Sequence, residues 1–183
     1  AGSFGVLLLG YRDQSADTFV SITESSGNVW TRRRFLRKSS TFGCVAIFTC
    51  NSLSLTTSSS ITLDFSATRS NYFRHFLYEV TANTGAVNYD DSAAADFVIN
   101  GSITSSTIEN GHVIFGAVIR NSNLPPTAGD SDTTNGSWSS IVNLGLTGTA
   151  TFSSQYKIVN ASGAQTYDIT TGVSGVIGWV EIS

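Results

Sequence analysis

A repeat restricts this chain's fold more than any other feature. Displaced by 108 residues, "AGSFGVLLLGYRD" (Ala1 to Asp13) lies over "ENGHVIFGAVIRN" (Glu109 to Asn121), with Arg12 on Arg120. The same displacement sets Trp30 on Trp138 and Phe48 on Tyr156. After a few deletions "TLDF" (Thr62 to Phe65) meets "TYDI" (Thr166 to Ile169). "FLYEV" (Phe76 to Val80) then meets "GWVEI" (Gly178 to Ile182), which pairs Glu79 with Glu181. The two pseudo-repeats, 1–82 and 96–183, therefore carry one supersecondary unit twice.

That unit is made of strands. "VLLLGY" and "HVIFGAVI" are short continuous apolar runs suited to strands buried on both faces. "SITLDF", "FSSQYKIV" and "QTYDIT" alternate with period two, as half-exposed strands do. Turn clusters separate them: "SSGN", "TANTG", "TTNGS" and "NASGA". The pattern predicts roughly ten to twelve strands, the signature of an antiparallel sandwich or barrel. Each half has too few strands to close a good core alone. The expectation is one all-β, jelly-roll-like β-sandwich over 1–183 built from both pseudo-repeats. Two small tandem sandwiches split near 83–92 are the alternative. "DFVINGSITSS" (Asp96 to Ser106) adds a strand ahead of the second copy, and nothing matches it ahead of Ala1. An upstream segment, or another chain pairing at a sheet edge, is expected to supply that strand.

Charged residues make up 13% of the 183 positions and hydrophobic residues 40%. The apolar residues are spread along the chain and rich in aromatic and β-branched types, which argues against disorder. The net charge of −3 divides unevenly. Residues 1–80 hold eight basic and five acidic side chains (8 − 5 = +3), and residues 81–183 hold two and eight (2 − 8 = −6). A general nucleic-acid binder would be basic overall, so nucleic acid is not an expected partner. No apolar run is long enough to span a membrane, so no membrane role is expected either. Cys44 and Cys50 share one predicted strand, which would hold them roughly 20 Å apart and beyond disulfide reach. They are expected to be buried thiols.

The strand grammar resembles that of the Ser/Thr/Gly-rich, jelly-roll-like structural proteins of tailed bacteriophages and prophages. The residues that carry the resemblance are "SFGVLLLGY", "GNVWTRR", "VAIFTC", "SITLDF" and "YEV". They recur as "GHVIFGAV", "NGSW", "SQYKIV", "QTYDIT" and "VEI", so nearly the whole chain is covered. The resemblance implies a component of the virion exterior: a head fibre or spike, a decoration protein, or a tail appendage. It implies no enzyme and brings no catalytic residues. The partners implied are further copies of the chain, neighbouring virion proteins and a host surface glycan. The competing class is a secreted or surface carbohydrate-binding module of a bacterium.

Candidate site residues are few. In "WTRRRFLRK", Arg32, Arg33, Arg34, Arg37 and Lys38 put charge on both faces of a strand, which marks an edge. On simple alternation Trp30, Arg32, Arg34, Leu36 and Lys38 share one face. The second copy keeps the tryptophan and has serines where the arginines stand, so the fold does not require the charge. An edge guard or subunit contact is the first reading, docking on an acidic partner the second, an anionic glycan the third. "GDSDTTNG" offers Asp130, Asp132 and Asn135 as oxygen donors for calcium, but the spacing departs from an EF-hand loop and an Asx-rich turn explains it as well. Asp13 and Asp17 occupy the matching loop of the first copy. Trp30, Trp138 and Trp179 are expected in the core, while Tyr11, Tyr89 and Trp138 near loops are candidates for stacking on sugars. His75 and His112 have no nucleophile partner in sight, and two histidines make a weak zinc set. A polysaccharide depolymerase would need paired carboxylates, for which Asp90, Asp91 and Asp96 are the candidates.

Overall fold

The computed structural model describes residues 3–12, 19–38, 40, 43–56, 58–66, 73–82, 86–146 and 150–183. The first half forms β1 (Ser3–Arg12), β2 (Phe19–Glu24), β3 (Thr31–Arg37), β4 (Gly43–Leu53), β5 (Ile61–Phe65) and β6 (Phe73–Val80). The second forms β7 (Tyr89–Phe97), β8 (Gly101–Ile108), β9 (Val113–Arg120) and β10 (Val142–Leu146). It ends with β11 (Ala150–Ile158), β12 (Gly163–Ile169) and β13 (Gly175–Ile182). The protein is all-β, and its strand pairs are antiparallel.

Two sheets pack face to face as a sandwich. One has the order β3-β4-β1-β6 and the other β10-β11-β9-β13-β7, so each sheet draws its strands from one half of the chain. β3 lies over β7, β4 over β13, β1 over β9, and β6 over β10 and β11. Phe4, Val6 and Leu8 of β1 and Val45 and Ile47 of β4 meet Phe115, Ala117, Phe152 and Val180 in the shared core. The fit is tight: a Cβ added at Gly10 would fall 2.3 Å from the Phe152 ring. A two-stranded ribbon closes each outer face. β2 and β5 cover Leu7, Leu9, Tyr11 and Phe48, and β8 and β12 cover Ile114, Val118, Ile177 and Trp179. Cys44 and Cys50 are buried free thiols on β4.

The repeat can be tested against strand register. A constant offset of 108 maps the β1–β4 pairs from Gly5 to Arg12 onto β9–β11 pairs: Leu8 opposite Ile47 becomes Gly116 opposite Gln155. That offset nevertheless turns the faces round. The shared core takes even-numbered residues from β1 (Val6, Leu8) and odd-numbered ones from β9 (Phe115, Ala117), and a shift of one residue reverses every side chain. Offsets of 109 on β1, 107 on β4 and 102 on β6 keep both pairing and face. They set Val6 on Phe115, Val45 on Phe152 and Glu79 on Glu181. The Arg12–Arg120 match in the sequence therefore slips by one position. The tryptophans do correspond: Trp30 lies directly before β3 and Trp138 shortly before β10, and each packs under an outer ribbon.

The correspondence breaks at the outer ribbons, where β2 follows β1 but β8 precedes β9, and again at the sheet edge. β7 pairs with β13 at the sheet edge, and among the described residues no strand takes the matching place beside β6.

Candidate functional site

The basic run occupies β3, an edge strand, as charge on both faces predicts. Simple alternation fails there, however. The pairing with β4 shifts register between Arg32 and Arg34, a bulge centred on Arg33. A bulge re-aims the side chains that follow it. Arg32 stays on the outer face, with its guanidinium 5.8 Å from the Phe19 ring and 5.6 Å from that of Phe35. Arg33 and Arg34 both turn inward. Arg33 donates from Nε to Thr49 Oγ1 at 2.8 Å and lies 4.0 Å over the Tyr89 ring. Arg34 Nε donates to the Ser92 carbonyl at 2.5 Å. At the end of the run the nearly buried Lys38 holds Asp96 at 3.2 Å.

Three of the five basic side chains thus fasten β3 of the first half to β7 of the second. The uneven charge of the two halves meets in the Lys38–Asp96 pair, while Arg33 and Arg34 engage the Tyr89 ring and the Ser92 carbonyl of the same strand. A desolvated guanidinium on an aromatic face is worth about 1–2 kcal/mol. This seam explains why the second copy lacks the arginines: its counterpart strand, β10, has no β7-like partner across from it among the described residues.

A second cluster lies at the other end of β7. His112 leads into β9, Glu181 lies near the end of β13, and Asp90 is the residue skipped where the β13–β7 pairing changes register. His112 Nδ1 is 2.7 Å from Glu181 Oε1 and 3.6 Å from Asp90 Oδ2. Burial raises the Glu181 carboxyl above its ordinary range, and the His112 hydrogen bond opposes that shift. Among the described residues this is the one His/Cys/Asp/Glu group of three or more with ligand atoms within 4.8 Å of one another. The His112–Glu181 contact is a direct hydrogen bond rather than a metal-ligand spacing, because two ligands of a tetrahedral zinc stand roughly 3.3 Å apart and Nδ1 and Oε1 are closer. The repeat marks Glu181 in the sequence but not its partner His112, which lies 69 residues away. No local spacing could have joined them.

The "GDSDTTNG" loop is held by its own carboxylates. Asp130 Oδ1 accepts the Asp132 N–H at 2.8 Å, and Asp130 Oδ2 accepts the Asp168 N–H at 2.9 Å. Burial raises the Asp130 carboxyl despite these bonds. Asp132 accepts the Thr134 N–H at 3.0 Å and faces the Lys157 ammonium at 3.2 Å. Asn135 adopts φ 57°, the left-handed turn conformation that Asn tolerates. This is the hydrogen bonding of an Asx-rich turn, with a cation already supplied by Lys157, rather than oxygens gathered around calcium. Lys157 itself is fully buried and donates to the Thr134 carbonyl at 2.6 Å. Asp13 and Asp17 lie outside the described residues.

The aromatics singled out for sugar stacking are not presented to solvent. Tyr11 and Trp138 are buried, the latter 4.7 Å from Tyr167, and Arg33 covers Tyr89. Trp179 is buried and Trp30 half-buried, both within outer-layer cores. His75, at the exposed face of β6, lines an apolar groove of about 250 Å³ with Leu7, Ile61, Leu63 and Phe73.

No protein-family model matches the chain, and neither the curated proteins nor the solved structures include a significant match to it.

Proposed function

We propose that this protein is a structural component of a particle, working through its surface and its sheet edges rather than through chemistry. The observation that carries this reading is apolar surface left open on the inward face of the second sheet. Val142, Tyr156 and Ile158 face the sandwich interior but are 50%, 43% and 57% exposed, because the first sheet ends at β6. Exposed apolar surface of this kind marks an interaction site. Together with the strand grammar of the sequence, it supports a place on the exterior of a bacteriophage virion, as a head fibre or spike, decoration protein or tail appendage. There the chain would contact further copies of itself, neighbouring virion proteins and a host surface glycan.

A second reading, a bacterial carbohydrate-binding module, has one feature in its favour. An open depression of about 510 Å³ is lined by Asn28, Thr31, Asn51, Ser52 and Ser54, groups able to hydrogen-bond sugar hydroxyls. The two readings separate cleanly. Peptide mass spectrometry of density-purified phage particles should find the chain in the virion, and antibody labelling should place it on the outside. Recovery only as free protein that binds a polysaccharide would replace the first reading with the second.

A further inference from the structure

We infer that the outer edge of β6 is an acceptor site for a single β-strand donated by a neighbouring subunit. The internal repeat defines the site. In the second half β7 lies against β13, fully paired from Phe97 opposite Gly175 to Asp91 opposite Glu181. Under the face-preserving offsets β6 corresponds to β13, and among the described residues β6 pairs with β1 alone. An unpaired row of backbone groups is a template for strand addition.

Side chains on both faces of the vacant position fit the same account. On the inner face, β7 covers β3, and the matching strand would cover β10 and the adjoining part of β11, where Val142, Tyr156 and Ile158 are exposed. On the outer face, Ala93, Ala95 and Phe97 of β7 pack against the core beneath β8 and β12. The matching side chains would meet Leu77, which is 37% exposed, and the groove bounded by Leu7, Ile61, Leu63, Phe73 and His75.

The chemistry of the donor follows from what it would touch. Asp96 of β7 meets the Lys38 ammonium at the end of the basic run, whereas β10 reads Val-Asn-Leu-Gly-Leu and carries no charge. The donor is therefore an uncharged extended segment with apolar or small side chains on both faces. It is one strand and not the edge of a second sheet, because the five-stranded sheet already extends under this position through β10. The route of the chain indicates a neighbouring molecule as the source. In the second half β8 leads from β7 to β9 and pairs with β12. In the first half the corresponding place on β5 is held by β2, so that path from the vacant position into β1 is taken.

The inference does not depend on the virion reading, and its test uses the whole protein in solution. The probe is a synthetic peptide of residues 88–98 carrying Asp90→Ser, Asp91→Ser and Asp96→Val, which spans β7 with one residue added at each end and lacks its charge. Amide hydrogen exchange of β6 is followed by NMR with and without peptide. Protection should rise about tenfold or more at alternate β6 residues, the spacing of outward-pointing N–H groups in an antiparallel strand. Leu77→Lys on the outer face and Ile158→Ser on the inner face change exposed side chains and should each weaken peptide binding about tenfold, or 1.4 kcal/mol. Unchanged β6 protection at saturating peptide would overturn the inference. So would wild-type peptide affinity in both variants, because the bound segment would then contact neither face beside β6.

Discussion

Single buried polar groups show most clearly what holds this protein in one conformation. Lys157 has no exposed side-chain surface, and its ammonium is satisfied by the Thr134 carbonyl and Asp132. Lys157→Met fills the same buried site and removes the ammonium that holds the Thr134 carbonyl and Asp132. The expected loss is about 1–3 kcal/mol in urea unfolding; Asp132→Asn should cost less, because that carboxylate is partly solvated. Glu181 offers a test by pH. Its folded carboxyl titrates above the ordinary value of 4.5 because burial disfavours the charge, although His112 partly offsets this; Asp90 and Asp91 reinforce the shift. In the window above 4.5 the native state thus keeps a proton that the unfolded chain has released. Stability should fall as pH rises through that window, and Glu181→Gln should flatten the dependence. A wild-type unfolding midpoint that climbs with pH there, by an amount Glu181→Gln abolishes, would contradict the sign.

Strands and their edges decide how the halves are joined. The β3–β7 seam depends on the bulge at Arg33, which sends two consecutive arginines to the same side. Changing Arg33 and Arg34 together to Ala should lower stability by about 1–3 kcal/mol. It should also speed amide exchange along β3 and β7 more than along β9, as measured by NMR. Uniform acceleration across both sheets would show that the seam is not a separable unit. The close approach of β1 to β11 is equally specific. Gly10→Ala drives a methyl into the Phe152 ring, which is itself fully buried and cannot swing aside into solvent. A destabilisation of about 1–3 kcal/mol is expected by thermal unfolding.

Across the whole molecule, the arrangement is two similar halves with unlike borders. Their larger sheets share one core, and each outer face is closed by its own ribbon. One border is sealed by β7 and the basic side chains of β3. At the other, the second sheet extends beyond β6 and leaves apolar residues uncovered. A protein built this way should associate more strongly as salt rises, because the open border is apolar rather than charged. Sedimentation velocity across a salt series should show this, and Ile158→Ser should reduce it. Association that weakens with salt would place the contact on the charged surface instead.

The amino-acid order alone settled the class of fold and its punctuation. Period-two alternation, apolar runs and Gly/Asn turns depend on near neighbours, and β3 could be recognised as an edge because charge on both faces fits nowhere else in a sheet. The repeated Glu79 and Glu181 also fell on matching strands, because that part of the alignment happened to keep the face. What required the assembled molecule was everything set by contact across long separations. The bulge at Arg33 put Arg32 and Arg34, expected on one face, on opposite faces, and the aromatic partner of Arg33 and the carbonyl partner of Arg34 lie on a strand far along the chain. His112 and Glu181 met only when β9 and β13 became neighbours. A strand's pattern says which side chains share a face; only packing says which face looks inward and what waits on the other side.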